Sequence, residues 1–256
     1  MKNSTITIAK FTIIDAFINK NILFLLIGLA ILFGMAEFLS ELMITESSEM
    51  SISWLTFTAR LFLVVLLSLF ILTSLSREFD DKVMLHIFSH SIQRYSYYTG
   101  KLIAFSILAL FSVVCLVLLL LIYAPFHSVL FWSVSFYFEL LILIALSLLF
   151  FMTFKQTVIS FVSIMAFYIL ARNMATIQLI SDSPIIETYS LANQFIKWII
   201  DAIDYILPAL YDFSQSAWLI YEQFQLQELL LNGVQCFIYV LLISFAAIFV
   251  LYRMEF

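Results

Sequence analysis

The sequence predicts an all-α integral membrane protein, and three observations carry that prediction. Of its 256 residues 64% are hydrophobic and 11% charged, with a mean hydropathy of +1.10, whereas a soluble domain carries roughly half and a quarter. The apolar residues fall in unbroken runs long enough for membrane-crossing helices, not in the ~10-residue alternation of barrel strands. Four glycines and three prolines are too few for a collagen-like or disordered chain. The two cysteines, Cys115 and Cys236, lie inside apolar runs, so they read as small core hydrophobes, not as a disulfide or a thiolate metal site. A formal net charge of −5 argues against nucleic acid as a partner.

Residues 4–20 come first. Phe11, Ile14, Phe17 and Ile18 recur at spacings of three and four, with Thr12, Asp15 and Asn19 opposite, the pattern of an amphipathic helix along the membrane interface. A ruler of ~20 apolar residues per ~30 Å of hydrocarbon then selects six spans: 22–44, 54–76, 102–125, 129–152, 156–172 and 233–252. The first is too long and too poorly flanked for a cleaved signal peptide and reads as a permanent anchor. Segment 77–101, between spans two and three, mixes Arg77, Lys82, Arg94 and Lys101 with Glu78, Asp80 and Asp81, and sets Val83, Leu85, Ile87, Phe88 and Ile92 among them. It is longer than a plain link requires and suits docking on a soluble partner. In the stretch 173–232, Gln194, Lys197, Asp201 and Asp204 share one helical face and Phe195, Ile196, Ile199, Ile203 and Ile206 the other, and Pro208 ends that helix. Asp212 followed by Gln215 predicts a capped second helix running towards Asn232 and Gly233. Both helices are too polar to span; they are expected to lie on the outer leaflet or dip into it and return.

Basic residues near span ends are retained in the cytoplasm. With the N-terminus inside, the inner face holds Lys2, Lys10, Lys20, Arg77, Lys82, Arg94, Lys101, Lys155 and Arg253, leaving Arg60, Arg172 and Lys197 of the 12 basic residues elsewhere. Both termini are therefore expected in the cytoplasm.

Several chemistries lack their residues. No glycine-rich phosphate loop occurs, so ATP hydrolysis by this chain is not expected. Zinc-protease and serine-hydrolase motifs are missing as well. His86 and His90 stand four apart with no acidic or thiol third ligand at helical spacing, and no metal site is predicted; His127 beside Pro125 reads as a turn residue.

Three ionisable residues fall within spans, where each is costly and must face a partner, a cavity or water. Glu37 lies ~10 Å and Arg60 ~9 Å from the outer end of their spans, and these matched depths predict a pair, with Glu41 one turn above. The alternative is that the two contact substrate. Glu139 sits ~15 Å deep, near the midplane, with no basic residue of evident claim at that level. It is expected either protonated and hydrogen-bonded to a neighbouring span or lining a polar pathway. Arg172 is expected to snorkel to the headgroups or to pair with an outer carboxylate.

Residues 77–101, REFDDKVMLHIFSHSIQRYSYYTGK, together with the six-span order, resemble the permease subunit of type-2 ABC exporters. The matching positions are Arg77 and Glu78 at the start and Arg94, Tyr97, Gly100 and Lys101 at the end. Asp81-Lys82 and Ser89-His90-Ser91 depart from the family's Gly-Thr and Pro, and Tyr205–Ser214 is weakly similar to its stretch before the last span. The resemblance implies one permease domain, 1–256, in the bacterial inner membrane. It implies that segment 77–101 docks on a separate cytoplasmic ABC ATPase through Arg77, Glu78, Asp81, Lys82, Arg94, Tyr97 and Lys101. It further implies two permease copies with two ATPase copies, ATP and magnesium held by the ATPase, and no cofactor or enzymatic activity in this chain. Aromatic residues at 17% would suit an apolar or amphipathic cargo. A stand-alone secondary transporter or channel is the alternative; against it, only one midplane carboxylate occurs and no pair of Gly/Pro-broken helices. An intramembrane assembly factor, such as a haem-handling permease relative, lacks an outer histidine pair.

Overall fold

The computed structural model describes residues 2–18, 20–42, 47–83, 93–182, 191–221 and 225–253. Every regular element among them is helical: α1 (Lys2–Ile18), α2 (Asn21–Leu42), α3 (Ser47–Asp80), α4 (Arg94–Leu120), α5 (Phe126–Phe154), α6 (Thr157–Asp182), α7 (Leu191–Ile206), a 3-10 turn (Leu210–Asp212), α8 (Ala217–Ile220) and α9 (Leu226–Arg253). Helices α2, α3, α4, α5, α6 and α9 are long and apolar enough to cross a bilayer, which makes the chain a multi-pass membrane protein.

The predicted spans are all present, but their ends differ: α3, α5, α6 and α9 extend past the apolar runs that located them, α4 starts earlier and stops at Leu120, short of 125, and α2 ends at Leu42, short of 44. Helix α3 has 34 residues, about 51 Å of helix against ~30 Å of hydrocarbon. Its overhang carries Arg77 and Glu78, and α4 begins at Arg94, so most charged residues of 77–101 belong to helix ends. Polar helix surface is free to continue into water once its backbone bonds are made internally, which hydropathy alone does not register.

Helix α5 is the axis of the bundle and packs against α3, α4, α6, α8 and α9. Trp132, Phe136, Leu140, Ile144 and Leu148 repeat every four residues along it and are fully buried, one stripe of a helix. A stripe of α3, Leu55, Ala59, Leu63, Leu67 and Ile71, is buried as well. Helices α2 and α9 keep most of their apolar side chains exposed, as a lipid-facing surface does.

With few glycines, the chain uses other residues where a left-handed backbone is required. Lys20, Lys82 and Lys155 follow α1, α3 and α5 with φ near +55°, and the Lys155 N–H donates to the Phe151 carbonyl at 2.8 Å. The left-handed stop is ordinarily glycine's; a lysine there adds a cation at the negative end of the helix dipole, which offsets part of the strain.

Two expectations change. The second outer helix predicted from Asp212 to Gly233 is absent: Asp212 ends the 3-10 turn, α8 is four residues long, and Gly233 lies inside α9. The polar side chains and carbonyls of 207–216 are bonded to neighbouring helices, as shown below, in place of a helix of their own. In α1, the Thr12 side faces inward with Ala9 and Ala16, while Phe11, Ile14, Phe17 and Ile18 are exposed. Ile8 crowds Gly100, Thr12 bonds Lys101, and Phe17 lies 6.2 Å from Phe111. Helix α1 therefore runs beside the first half of α4 and shares its direction. The expectation of an amphipathic interfacial helix does not include this contact.

Candidate functional site

Two polar clusters stand at opposite ends of the bundle. At the end where α3 stops and α4 starts, Lys101 is buried and forms an ion pair with Glu78. Its ammonium also donates to Thr12 Oγ1 at 2.9 Å, and the Tyr97 hydroxyl donates to Glu78 Oε2 at 2.6 Å. The rings of Tyr97 and Phe105 each lie 5.8 Å from the Lys101 ammonium. A buried ammonium is tolerable only with such a set of partners, and here the set ties α1, α3 and α4 together. Gly100 makes the join possible: a Cβ there would come within 3.0 Å of the Thr5 carbonyl and 3.1 Å of Ile8.

Arg94, on the first turn of α4, donates to the carbonyls of Leu251 and Tyr252 at 2.5 and 3.1 Å and lies over the Tyr252 ring. It supplies donors to carbonyls in the last described turn of α9. Of the residues assigned to docking, Glu78, Tyr97, Lys101 and Arg94 thus bond within the chain. Sequence position alone did not separate them from Arg77, Asp81 and Lys82, which are exposed. The amphipathic turn expected around Leu85–Phe88, with His86 and His90, falls outside the described residues.

At the other end, the backbone of 207–216 is folded into the bundle. Ser214 is fully buried with φ +43°. Its carbonyl accepts from Arg60 Nη2 at 2.5 Å and from Trp132 Nε1 at 3.0 Å; its N–H donates to Ser135 Oγ at 3.1 Å; its hydroxyl donates to Glu139 Oε2 at 2.6 Å. Every polar atom of Ser214 is therefore engaged, which holds a backbone conformation that costs a non-glycine residue about 1–3 kcal/mol. Arg172 donates to the Leu210 and Phe213 carbonyls and approaches Glu139 Oε2 at 3.7 Å. Tyr168 donates to Glu139 Oε1 at 2.7 Å, and Asn232 Nδ2 lies 3.2 Å from both Ser135 Oγ and the Asp212 carbonyl. Asp212 stands at the rim. Partial burial, with Glu228 and Asp204 nearby, raises its pKa above the ordinary carboxylate value, against the lowering effect of Arg172.

This cluster revises two expectations. Arg60 does not pair with Glu37; it reaches the Ser214 carbonyl and lies 5.9 Å from the Trp132 ring. Glu37 is exposed and accepts from the Tyr123 hydroxyl at 2.5 Å. Glu139 has basic neighbours after all, since Arg172 approaches it and it interacts electrostatically with Arg60. Matched depth places two residues on one level but leaves open which way each helix face points. Ser214, Ser135 and Asn232 are uncharged, and nothing in their local sequence marked them.

Among the described residues no group of histidine, cysteine or carboxylate side chains has the arrangement of a metal site. Set against known proteins, the chain matches no protein-family model and no curated protein.

Proposed function

We propose that the chain is the membrane-spanning permease subunit of a type-2 ABC exporter. In this reading it works as two copies in the bacterial inner membrane, with both termini cytoplasmic, and moves an apolar or amphipathic cargo. ATP and magnesium are held by two copies of a separate ATPase. One observation carries the proposal: the last turn of α3 and the residues just after it present Arg77, Asp81 and Lys82 to solvent, while the helix ends on both sides are fastened by Glu78, Lys101 and Arg94 to α1, α3, α4 and α9. A force applied at such a turn moves four helices together, and coupling requires an element whose displacement both partners sense. The family resemblance of residues 77–101 supports the same role.

The test is isolation of the chain from its native membrane, followed by reconstitution. Recovery of a Walker-type ATPase and ATP-dependent export are expected; transport that follows an ion gradient and ignores ATP would favour a stand-alone secondary transporter. Joint reversal of Asp81 and Lys82 is expected to reduce ATPase recovery by at least about tenfold, as loss of a docking contact of ~1.4 kcal/mol would, with membrane insertion unchanged.

A further inference from the structure

Along the contact between α1 and α4 lies an open apolar trough of about 380 Å³. Ile6, Ala9, Ile13 and Ile14 form one wall and Ile103 and Ile107 the other. Ile6, Ile14, Ile103 and Ile107 are 41–64% exposed, so the protein leaves the trough unfilled. From Thr5 to Ile14 it runs about 13 Å, beside a membrane-crossing helix and in its direction, which is the course an acyl chain takes through one leaflet.

Lys10 is the charged residue lining the trough. Positions three and four residues away are Ile6, Thr7, Ile13 and Ile14, so no carboxylate on α1 stands where it would neutralise Lys10 through helical spacing. Asp15, five positions on, is turned about 140° away around the helix. The four-carbon stem of Lys10 can lie along the apolar wall and carry its ammonium to headgroup level. A trough that takes hydrocarbon, with one basic group at its edge, matches a ligand with an apolar chain and an anionic head. A zwitterionic lipid brings its own ammonium, which competes for the phosphate.

We propose that this trough binds one acyl chain of an anionic phospholipid, with its phosphate on Lys10. The same stretch of α1 turns Ala9 and Thr12 inward, and Thr12 accepts from Lys101. A lipid seated here presses α1 onto α4 and supports the junction of Thr12, Lys101 and Glu78. The proposal does not rest on the permease reading, and its test involves no transport.

The full chain is purified in mild detergent, given equal amounts of dioleoyl phosphatidylglycerol or dioleoyl phosphatidylcholine, and followed by native mass spectrometry and thermal unfolding. Retention of one phosphatidylglycerol per chain is expected, with a raised unfolding midpoint; phosphatidylcholine does neither. Lys10→Glu, which reverses the charge, reduces retention more than about fivefold, the effect of removing one basic residue from an anionic headgroup; Ile107→Trp, which fills the trough, reduces it as well. Lys82→Glu, at the exposed turn, retains the lipid. Lys10→Gln gives a smaller loss in case the reversal disturbs folding, which helical circular dichroism reports. Equal retention of both lipids by the unaltered chain, undiminished retention by the two Lys10 variants, or an equal loss in Lys82→Glu overturns the proposal.

Discussion

Ser214 concentrates the physical chemistry of the cluster around segment 207–216 in one residue. Its left-handed backbone favours glycine, and its hydroxyl donates to Glu139. Ser214→Gly gives up only the hydroxyl bond, whereas Ser214→Ala gives up the same bond and keeps the strain. Thermal unfolding in detergent is expected to find both variants destabilised, the alanine form by about 1 kcal/mol more. Asp212 permits a test by pH. Its folded-state pKa is raised above the unfolded value, so the folded state holds the proton more tightly. The resulting cost is absent at acid pH and appears as pH rises through the folded pKa. Asp212→Asn is therefore expected to stabilise the protein at neutral pH, with the difference fading on acidification; a difference constant across the range would argue against it. The sequence marks Asp212 only as a helix start and gives Ser214 no role of its own. Ser214 is bonded to Arg60 across 154 positions and to Glu139 across 75, separations that no local pattern encodes.

Helices were legible where the information is local and their ends where it is not. The bilayer ruler placed all six spans because apolar composition over ~20 residues is decisive in lipid. It ended α3 near Ser76, because the charged residues that follow look like a loop; in the structure they continue the helix, and Glu78 returns to Lys101. The contact of α1 with α4 was not legible for a related reason. In a soluble protein the apolar face is the inner one, but beside a membrane span lipid receives Phe11 and Phe17, and the small residues Ala9 and Ala16 allow close helix contact. Gly100 tests that contact. A larger side chain meets the Thr5 backbone, which cannot yield as a flexible side chain does. Gly100→Leu is expected to push α1 away from α4 and take Thr12 from the Lys101 ammonium, costing about 1.5–3 kcal/mol for the lost hydrogen bond to a charged group. Faster proteolysis within 2–18 would report it, while Gly34→Leu, where a Cβ meets nothing within 4 Å, should change little.

At the scale of the molecule, the two clusters make the bundle a body with a fastened end on each side and a largely apolar middle. One end joins α1, α3, α4 and α9 around the exposed turn at Asp81 and Lys82; the other joins α3, α5, α6 and α9 around Ser214. Helix α3 belongs to both through Glu78 and Arg60, which are 18 positions or about 27 Å apart along it. In the permease reading proposed above, a helix tied at both ends serves as a rod that carries displacement from the turn to the segment 207–216. That arrangement requires Lys82 and Asp212 to lie on opposite sides of the membrane. In a variant with Cys115 and Cys236 replaced by alanine, a membrane-impermeant thiol reagent applied from outside intact cells should label Asp212→Cys and spare Lys82→Cys; inverted vesicles should reverse the pattern. Labelling of both from one side would place the turn and the segment 207–216 on a common face. No rod could then run between them across the bilayer, and α3 would need another explanation for its ties at both ends.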